Sequence, residues 1–229
     1  LYQMGCYNKA KKEIELALSL YDEYDGLEPC LLTDKMIPVM EQRKKEITML
    51  ADSVADIKIS ACVIVKNEEK NILNWLENVI AFADEIIIND TGSVDSTKEI
   101  ITGFSENHPD LPMALLESDW QEDFSLAKNQ CINEATGNWI VFTDADELFV
   151  NPDFVGGYVS YSHLKSELQA IFVPMANIDT DNNGKIVNIF NSLRIFRNLP
   201  GLHYEGRIHE SLTLDGSGVD ALKVQLADK

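Results

Sequence analysis

Two hydrophobic rhythms divide this chain. Up to about residue 56, apolar residues recur at helical spacing, and from residue 57 short β-rich runs alternate with helical stretches. Residues 1–20 read as one amphipathic helix and about 35–50 as another, with loop composition between them at 22–34. Gly5, Tyr7, Ala10, Ile14 and Ala17 fall at the small and large positions of the second half of a tetratricopeptide repeat, a spacing that an ordinary amphipathic helix also produces. In the second region, 57–65 ("IKISACVIV"), 85–90 ("EIIIND"), 113–118 ("MALLES") and 138–143 ("NWIVFT") predict strands. Helices are predicted between them at 68–83, 94–104 and 123–136, the first with Ile72, Leu73, Leu76, Val79 and Ile80 on one face. Strands alternating with helices predict a parallel sheet covered on both faces. Later the pattern changes. Residues 170–178 and 186–196 flank "DTDNNGK" and predict an antiparallel hairpin, with Gly184 supplying positive φ. The expected fold is α/β, a mixed and mainly parallel sheet sandwiched by helices in 57–229, preceded by a small helical segment in 1–56.

Composition narrows what such a fold does. Apolar residues are 45% of 229, enough for a sizeable core. No run approaches the roughly 18–20 apolar residues of a membrane span, and residues 1–20 lack the pattern of a signal peptide. The four cysteines are widely spaced with no CxxC pair, which predicts free thiols in a reducing cytosol rather than zinc ligands. We expect a cytoplasmic protein or one peripheral at the inner face of a membrane. The chain opens on Leu1 rather than Met, so a fragment is expected. The net charge of -19 makes nucleic acid and anionic membrane poor general partners. A phosphorylated ligand would need a metal ion or a few placed cations.

Candidate chemistry lies where the predicted strands end, since ligands of open α/β sheets bind beyond the carboxyl ends of the strands. Asp90 ends "EIIIND". Asp144, Asp146 and Glu147 follow "NWIVFT" directly. Residues two apart in an extended segment share a face, so Asp144 and Asp146 are expected side by side. Two carboxylates held close are stabilised by a hard cation with oxygen ligands, Mn²⁺ or Mg²⁺, that also contacts a diphosphate. A D-x-D spacing also arises by chance in so acidic a chain. Asp179 and Asp181 repeat it within a sequence of ordinary turn chemistry.

The blocks "CVIVKNEEKNILNWLENVIAFADEIIINDTGSVDST" and "DFSLAKNQCINEATGNWIVFTDADELF", in that order, resemble the inverting family 2 glycosyltransferases of the GT-A fold. The resemblance is strong over about 57–150 and continues to about 212. It implies that Val65, Lys66 and Glu68 line a nucleotide pocket, with Lys66 standing where relatives more often have Tyr. Asp90 would hydrogen-bond the base, and Gly92, Ser93 and Asp95 would shape the next turn. Lys128 stands where many relatives carry an Arg facing the nucleotide. Asp144 and Ala145 would contact the ribose or diphosphate, and Asp146, with Asp144, would hold the metal. Bland alternatives stay open: Lys128 as a solvated helix residue, Asp95 as part of a helix cap, and Asn67 and Glu68 as the start of the next helix.

Farther on, "SLRIFRNLPGLHYEGRIHESL" gathers Arg194, Arg197, His203, Arg207, His209 and Glu210. Three arginines near one another would neutralise a diphosphate leaving group, Arg207 being assigned to the nucleotide. Strand arginines also pair with surface acids. The block resembles the "GRIHE" segment of a subgroup fused to tetratricopeptide-like helices and is similar to sublancin-type S-glycosyltransferases. An inverting transfer needs a base, for which Glu210 is the first candidate and His209 the second, the latter as base or as a further metal ligand. The expected activity is transfer of a sugar from a nucleotide-diphosphate sugar, with uridine diphosphate the commonest carrier, to a glycan, lipid-linked sugar or peptide. The helical segment offers a surface for a protein partner. Two rivals are a nucleotidyltransferase, disfavoured because "VKNEEKN" has no glycine, and a scaffold that binds sugar nucleotides without turnover.

Overall fold

The computed structural model describes residues 6–23, 33–179, 182–214 and 224–226. Gly5, Cys30, Asp181 and most of the expected 22–34 loop lie outside these residues. The chain divides into two compact units, Leu1–Asp56 with Phe154–Lys165, and Ile57–Asp153 with Ser166–Lys229.

The first unit holds α1 (Tyr7–Glu23) and α2 (Thr33–Ser53), joined by α6 (Val155–Leu164). Tyr7 and Ala10 of α1 are buried, as are Ile47 and Ala51 of α2, which stand one turn apart on one face. Lys11 reaches Asp52 at 3.9 Å and Lys44 reaches Glu15 at 3.9 Å, at the rim of that helix pair.

The second unit is built on a seven-stranded sheet. Its strands are β1 (Ile59–Val65), β2 (Glu85–Asp90), β3 (Met113–Glu117), β4 (Trp139–Phe142), β5 (Ala170–Asp179), β6 (Lys185–Arg197) and β9 (Val224–Leu226), in the order β3-β2-β1-β4-β6-β5-β9. The first four are parallel, β6 runs antiparallel to β4 and β5, and β9 is parallel to β5. A separate antiparallel hairpin comprises β7 (Leu202–Glu205) and β8 (Ser211–Leu214). Helices α3 (Ile72–Val79), α4 (Thr97–Asn107) and α5 (Phe124–Glu134) connect the parallel strands.

The unbroken apolar run of β1 follows from helices on both faces. Ala61, Val63 and Val65 join Ile86 and Ile88 against α3 and α4, whereas Cys62 joins Ile87, Ile140 and Phe142 against Cys131 and Ile132 of α5. The α3 helix is shorter than its apolar pattern predicts and is turned by one position: Trp75 is fully buried and Leu73 is 44% exposed. At 100° per residue Leu73 lies at the margin of the stripe set by Ile72, Leu76 and Val79, and the large indole takes the opposite margin. Its Nε1–H donates to Thr143 Oγ1 at 2.8 Å. Both core thiols are free, and burial pushes Cys131 up to about 12.

The edge of the sheet away from the strand carboxyl ends is locked by Glu85. Its carboxylate accepts from Ser60 Oγ (2.5 Å), the Thr136 N–H (2.7 Å) and hydroxyl (2.8 Å), and the Gly137 N–H (3.0 Å). The approach is so close that a Cβ on Gly137 would lie 2.8 Å from the Lys58 carbonyl oxygen. Burial raises the Glu85 carboxyl, but these donors outweigh it and hold it below its usual range. Stability from such a group is present above the unfolded value and lost as pH falls through the folded one. We therefore expect Glu85→Gln to cost about 1–2 kcal/mol at pH 7, with the gap to wild type closing below about pH 4. Denaturant titration at both pH values checks this.

Candidate active site

All the loops leaving the carboxyl ends of β1 to β4 meet on one side of the sheet. After β1, residues 66–71 are stitched to residues 91–97 after β2. The Asn67 N–H donates to Ser93 Oγ and Asn67 Oδ1 accepts from the Val94 N–H, both at 2.8 Å, with Asn67 at φ 58°. The Glu68 N–H donates to Thr97 Oγ1 at 2.8 Å, and Asp95 accepts from the Thr97 hydroxyl (2.5 Å) and the Glu69 N–H (3.2 Å). Asp95 is thus a clasp between two loops. Asp90 is buried; Oδ1 accepts from the N–H groups of Gly92 (2.9 Å) and Ser93 (2.8 Å), and Oδ2 is buried with no partner. Gly92 adopts φ 101°, which that tight turn requires.

After β4 the segment does not stay extended. The Glu147 N–H donates to the Asp144 carbonyl at 3.0 Å, closing a turn over residues 144–147. Asn78 of α3 clamps the far end, donating to the Phe149 carbonyl and accepting from its N–H, both at 2.9 Å. Within the turn, Glu147 Oε2 accepts from the Asp144 N–H at 3.1 Å. Arg194 Nη2 bridges Glu147 Oε1 (2.5 Å) and Asp144 Oδ2 (3.3 Å). Of the three acids, Glu147 is the one turned inward, with Arg194 as its counter-ion; Asp144 is half-exposed and Asp146 exposed.

The β7–β8 hairpin brings the remaining wall. Asn129 of α5 pairs with the backbone of Tyr204 as a strand would, donating to its carbonyl (2.9 Å) and accepting from its N–H (2.7 Å). The Phe124 N–H donates to the Arg207 carbonyl at 3.0 Å. "GRIHE" is therefore a hairpin tip, with Gly206 at φ 104° and His209 at φ 59°. The tip sets Glu210 Oε1 at 2.5 Å from Lys128 Nζ. Lys128, 4% exposed, also lies 4.0 Å from Asp144 Oδ1 and over the rings of Phe142 (5.3 Å) and Tyr204 (5.1 Å).

These loops enclose a cavity of about 650 Å³. Of the residues expected at the site, Val65, Lys66, Glu68, Lys128, Asp144, Ala145, Asp146, His209 and Glu210 all line it. Asp90 does not line it although its neighbour Thr91 does, and Arg207 points elsewhere, to the Gln121 carbonyl (3.5 Å) and Glu122 (4.0 Å). The expected cluster of three arginines does not form. Arg194 and Arg197 are three apart in a strand and so lie on opposite faces, and Arg197 stacks on Trp139, 4.8 Å from the ring centroid. Sequence reasoning misses Trp120, Phe124 and Ile208, which also line the cavity. The position of Trp120, two residues past the end of a predicted strand, is the signal that could have found it. Among the described residues no three His, Cys, Asp or Glu side chains converge on one point. The turn over 144–147 replaces the extended segment expected to set Asp144 and Asp146 side by side; both still line the cavity, and two carboxylates there would suit a cation that takes its other ligands from a diphosphate and water, as Mg²⁺ commonly does.

Burial raises the Glu147 carboxyl above its usual range, with the Arg194 bond pulling against it. A carboxyl raised by folding costs stability as pH climbs above its unfolded value. Arg194→Met removes the counter-ion and its hydrogen bond, so we expect a loss of about 2 kcal/mol at pH 7 and a smaller loss near pH 4.5, measured by denaturant titration. Equal losses at both pH values would refute the pairing as the cause.

Comparison with known proteins bears on this geometry. The family model "Glycosyl transferase family 2" matches residues 60–203. A TPR repeat-containing protein of Synechococcus elongatus is 32% identical over 161 residues, covering 67% of this chain and 35% of that protein. The SPbeta prophage-derived glycosyltransferase SunS of Bacillus subtilis is 30% identical over 152 residues, covering 66% of this chain and 34% of SunS. The chain thus spans about a third of the length of these relatives. Among solved structures, the mannosyltransferase PcManGT of Pyrobaculum calidifontis, in complex with GDP-Man and Mn²⁺, is 27% identical with a TM-score of 0.47, over 50% of this chain and 34% of that one.

Proposed function

The chain belongs to glycosyl transferase family 2, and from that premise we propose that it is a metal-dependent, inverting glycosyltransferase. Its donor is a nucleotide-diphosphate sugar, with a uridine diphosphate sugar as first candidate, and its acceptor is a glycan, a lipid-linked sugar or a peptide. The observation that carries this reading is the charge of the cavity. Four carboxylates (Glu68, Asp144, Asp146 and Glu210) line it against two ammonium groups (Lys66 and Lys128). Alone, such a wall repels a diphosphate. Asp144 and Asp146 would hold a divalent cation, which would reverse the local field and supply Lewis-acid stabilisation of the leaving group. Membership of the family disfavours the nucleotidyltransferase alternative.

The protein groups have these roles in the proposal. Glu210 takes the proton from the acceptor nucleophile as that atom bonds to the anomeric carbon. The bond from that carbon to the diphosphate oxygen breaks, its electron pair leaves with the nucleoside diphosphate, and one displacement inverts the centre. Lys128, between Glu210 and Asp144, stabilises the negative charge that develops on the departing oxygen. Asp90, whose buried Oδ2 has no partner, is assigned to a ring N–H of the base, which would reach it past Thr91 on the cavity wall. Arg194 and Glu147 hold the turn that presents Asp144. His209, on the cavity wall, is the alternative base.

Calorimetry with a panel of nucleoside diphosphates and their sugars, with and without Mn²⁺, tests the donor site. One nucleotide is expected to bind only with metal, and Asp146→Asn to abolish that binding. Absence of any binding with metal present would refute the assignment. Glu210→Gln is expected to keep donor binding while lowering turnover of the donor by roughly 10²–10⁴-fold. Binding without turnover in the wild type would instead identify a scaffold.

A further inference from the structure

We infer that Trp120 is the stacking platform for the nucleotide base, an assignment that rests on the donor-site reading above. The sheet order sets the geometry. Loops from β3, β2, β1 and β4 line the cavity in that spatial order, with Trp120 on the β3 loop at one end and Asp144 and Asp146 on the β4 loop at the other. Three strand spacings separate the ends, roughly 14 Å, the reach of a nucleoside diphosphate from base to terminal phosphate. With the diphosphate at the paired acids, the base arrives at the β2–β3 end.

The chemistry at that end suits a base. Asp90 closes β2 in register with Glu117, and the Ser118 N–H donates to the Asp90 carbonyl at 2.9 Å. The Ser118 hydroxyl donates to Asn89 Oδ1 at 2.9 Å, and Asn89 in turn donates to the Ala127 carbonyl at 3.0 Å. This buried network fixes the chain two residues before Trp120. The indole is half-buried and stands edge-on to Phe124, 4.9 Å between centroids and 72° between planes, so its orientation is held from one side. Among the described residues lining the cavity, Trp120 and Phe124 are the only large aromatic ones, and Lys66 on the opposite loop has no π-face to offer. The β2–β3 end therefore presents to the cavity an aromatic face able to stack a base, beside Thr91 of the β2 loop.

The chain has three tryptophans, and Trp75 and Trp139 are fully buried, so cavity-dependent fluorescence reports on Trp120. We would titrate uridine, guanosine and adenosine diphosphates with Mg²⁺ while following tryptophan emission. Calorimetry on the same samples, with Mg²⁺-pyrophosphate as a ligand lacking a base, completes the measurement. The expected result is quenching by the nucleotide that binds, absent in Trp120→Phe. Trp120→Ala should weaken nucleotide binding about tenfold or more and leave pyrophosphate binding unchanged. Nucleotide binding without quenching, and with the same affinity in Trp120→Ala, would overturn the stacking assignment while sparing the donor site. Quenching by free saccharides and not by nucleotides would overturn it by moving Trp120 to the acceptor side. Failure of both nucleotide and pyrophosphate to bind would bring down the donor site and the stacking role together.

Discussion

The contact on which the site depends is the ion pair between Lys128 and Glu210. Lys128 is the only fully buried lysine or arginine among the described residues. An ammonium group removed from water is costly unless its partners replace the lost hydration. Here a carboxylate, a second carboxylate at 4.0 Å and two aromatic faces do so. One charge thereby draws together α5, the end of β4 and the tip of the β7–β8 hairpin. The Asn129 clamp one residue along α5 holds the same hairpin by its backbone, so Glu210 is placed from two directions.

A second, partly buried cation organises the adjoining turn. Arg194 binds Glu147 beneath the surface and touches Asp144 from behind, leaving Asp146 exposed toward the cavity. Three acids in four residues are tolerated because they are divided between two environments: one faces inward to an arginine, one is shared, and one is solvated. Charge across the whole chain is strongly negative, yet the cations that matter at the site are few, Lys128 placed by α5 and Arg194 by β6. Arg197, only three residues beyond Arg194, is committed to Trp139 and the Leu168 carbonyl instead.

Much of this architecture is legible in the amino-acid pattern. The switch from helical periodicity to alternating strands and helices predicts the parallel half of the sheet. The change after residue 150 predicts the antiparallel hairpin of β5 and β6. Asp90, Asp144 and Asp146 stand out because acids directly after apolar strands have no core-forming reason to be there. The misses have physical causes. Periodicity places Leu73 in the core because it does not distinguish the margins of a stripe, and the size of Trp75 decides between them. Proximity along the chain groups Arg207 with Arg194 and Arg197, and a hairpin tip and a strand convert that proximity into separate directions.

The sequence by itself determined where the first six strands of the sheet and the helices between the parallel ones form, which strand ends carry acids, and which residues permit the turns at Gly92 and Gly184, though not α6 or the β7–β8 hairpin. These are local matters of period, propensity and backbone freedom. Only the tertiary structure decided that Lys128 meets Glu210 across 82 residues, that Arg194 meets Glu147 across 47, and that Trp120 faces the same cavity as Asp146. Those meetings follow from the order of strands in the sheet, which is set by how crossovers and hairpins bury their apolar faces together. No window of sequence short enough to show a period contains both partners.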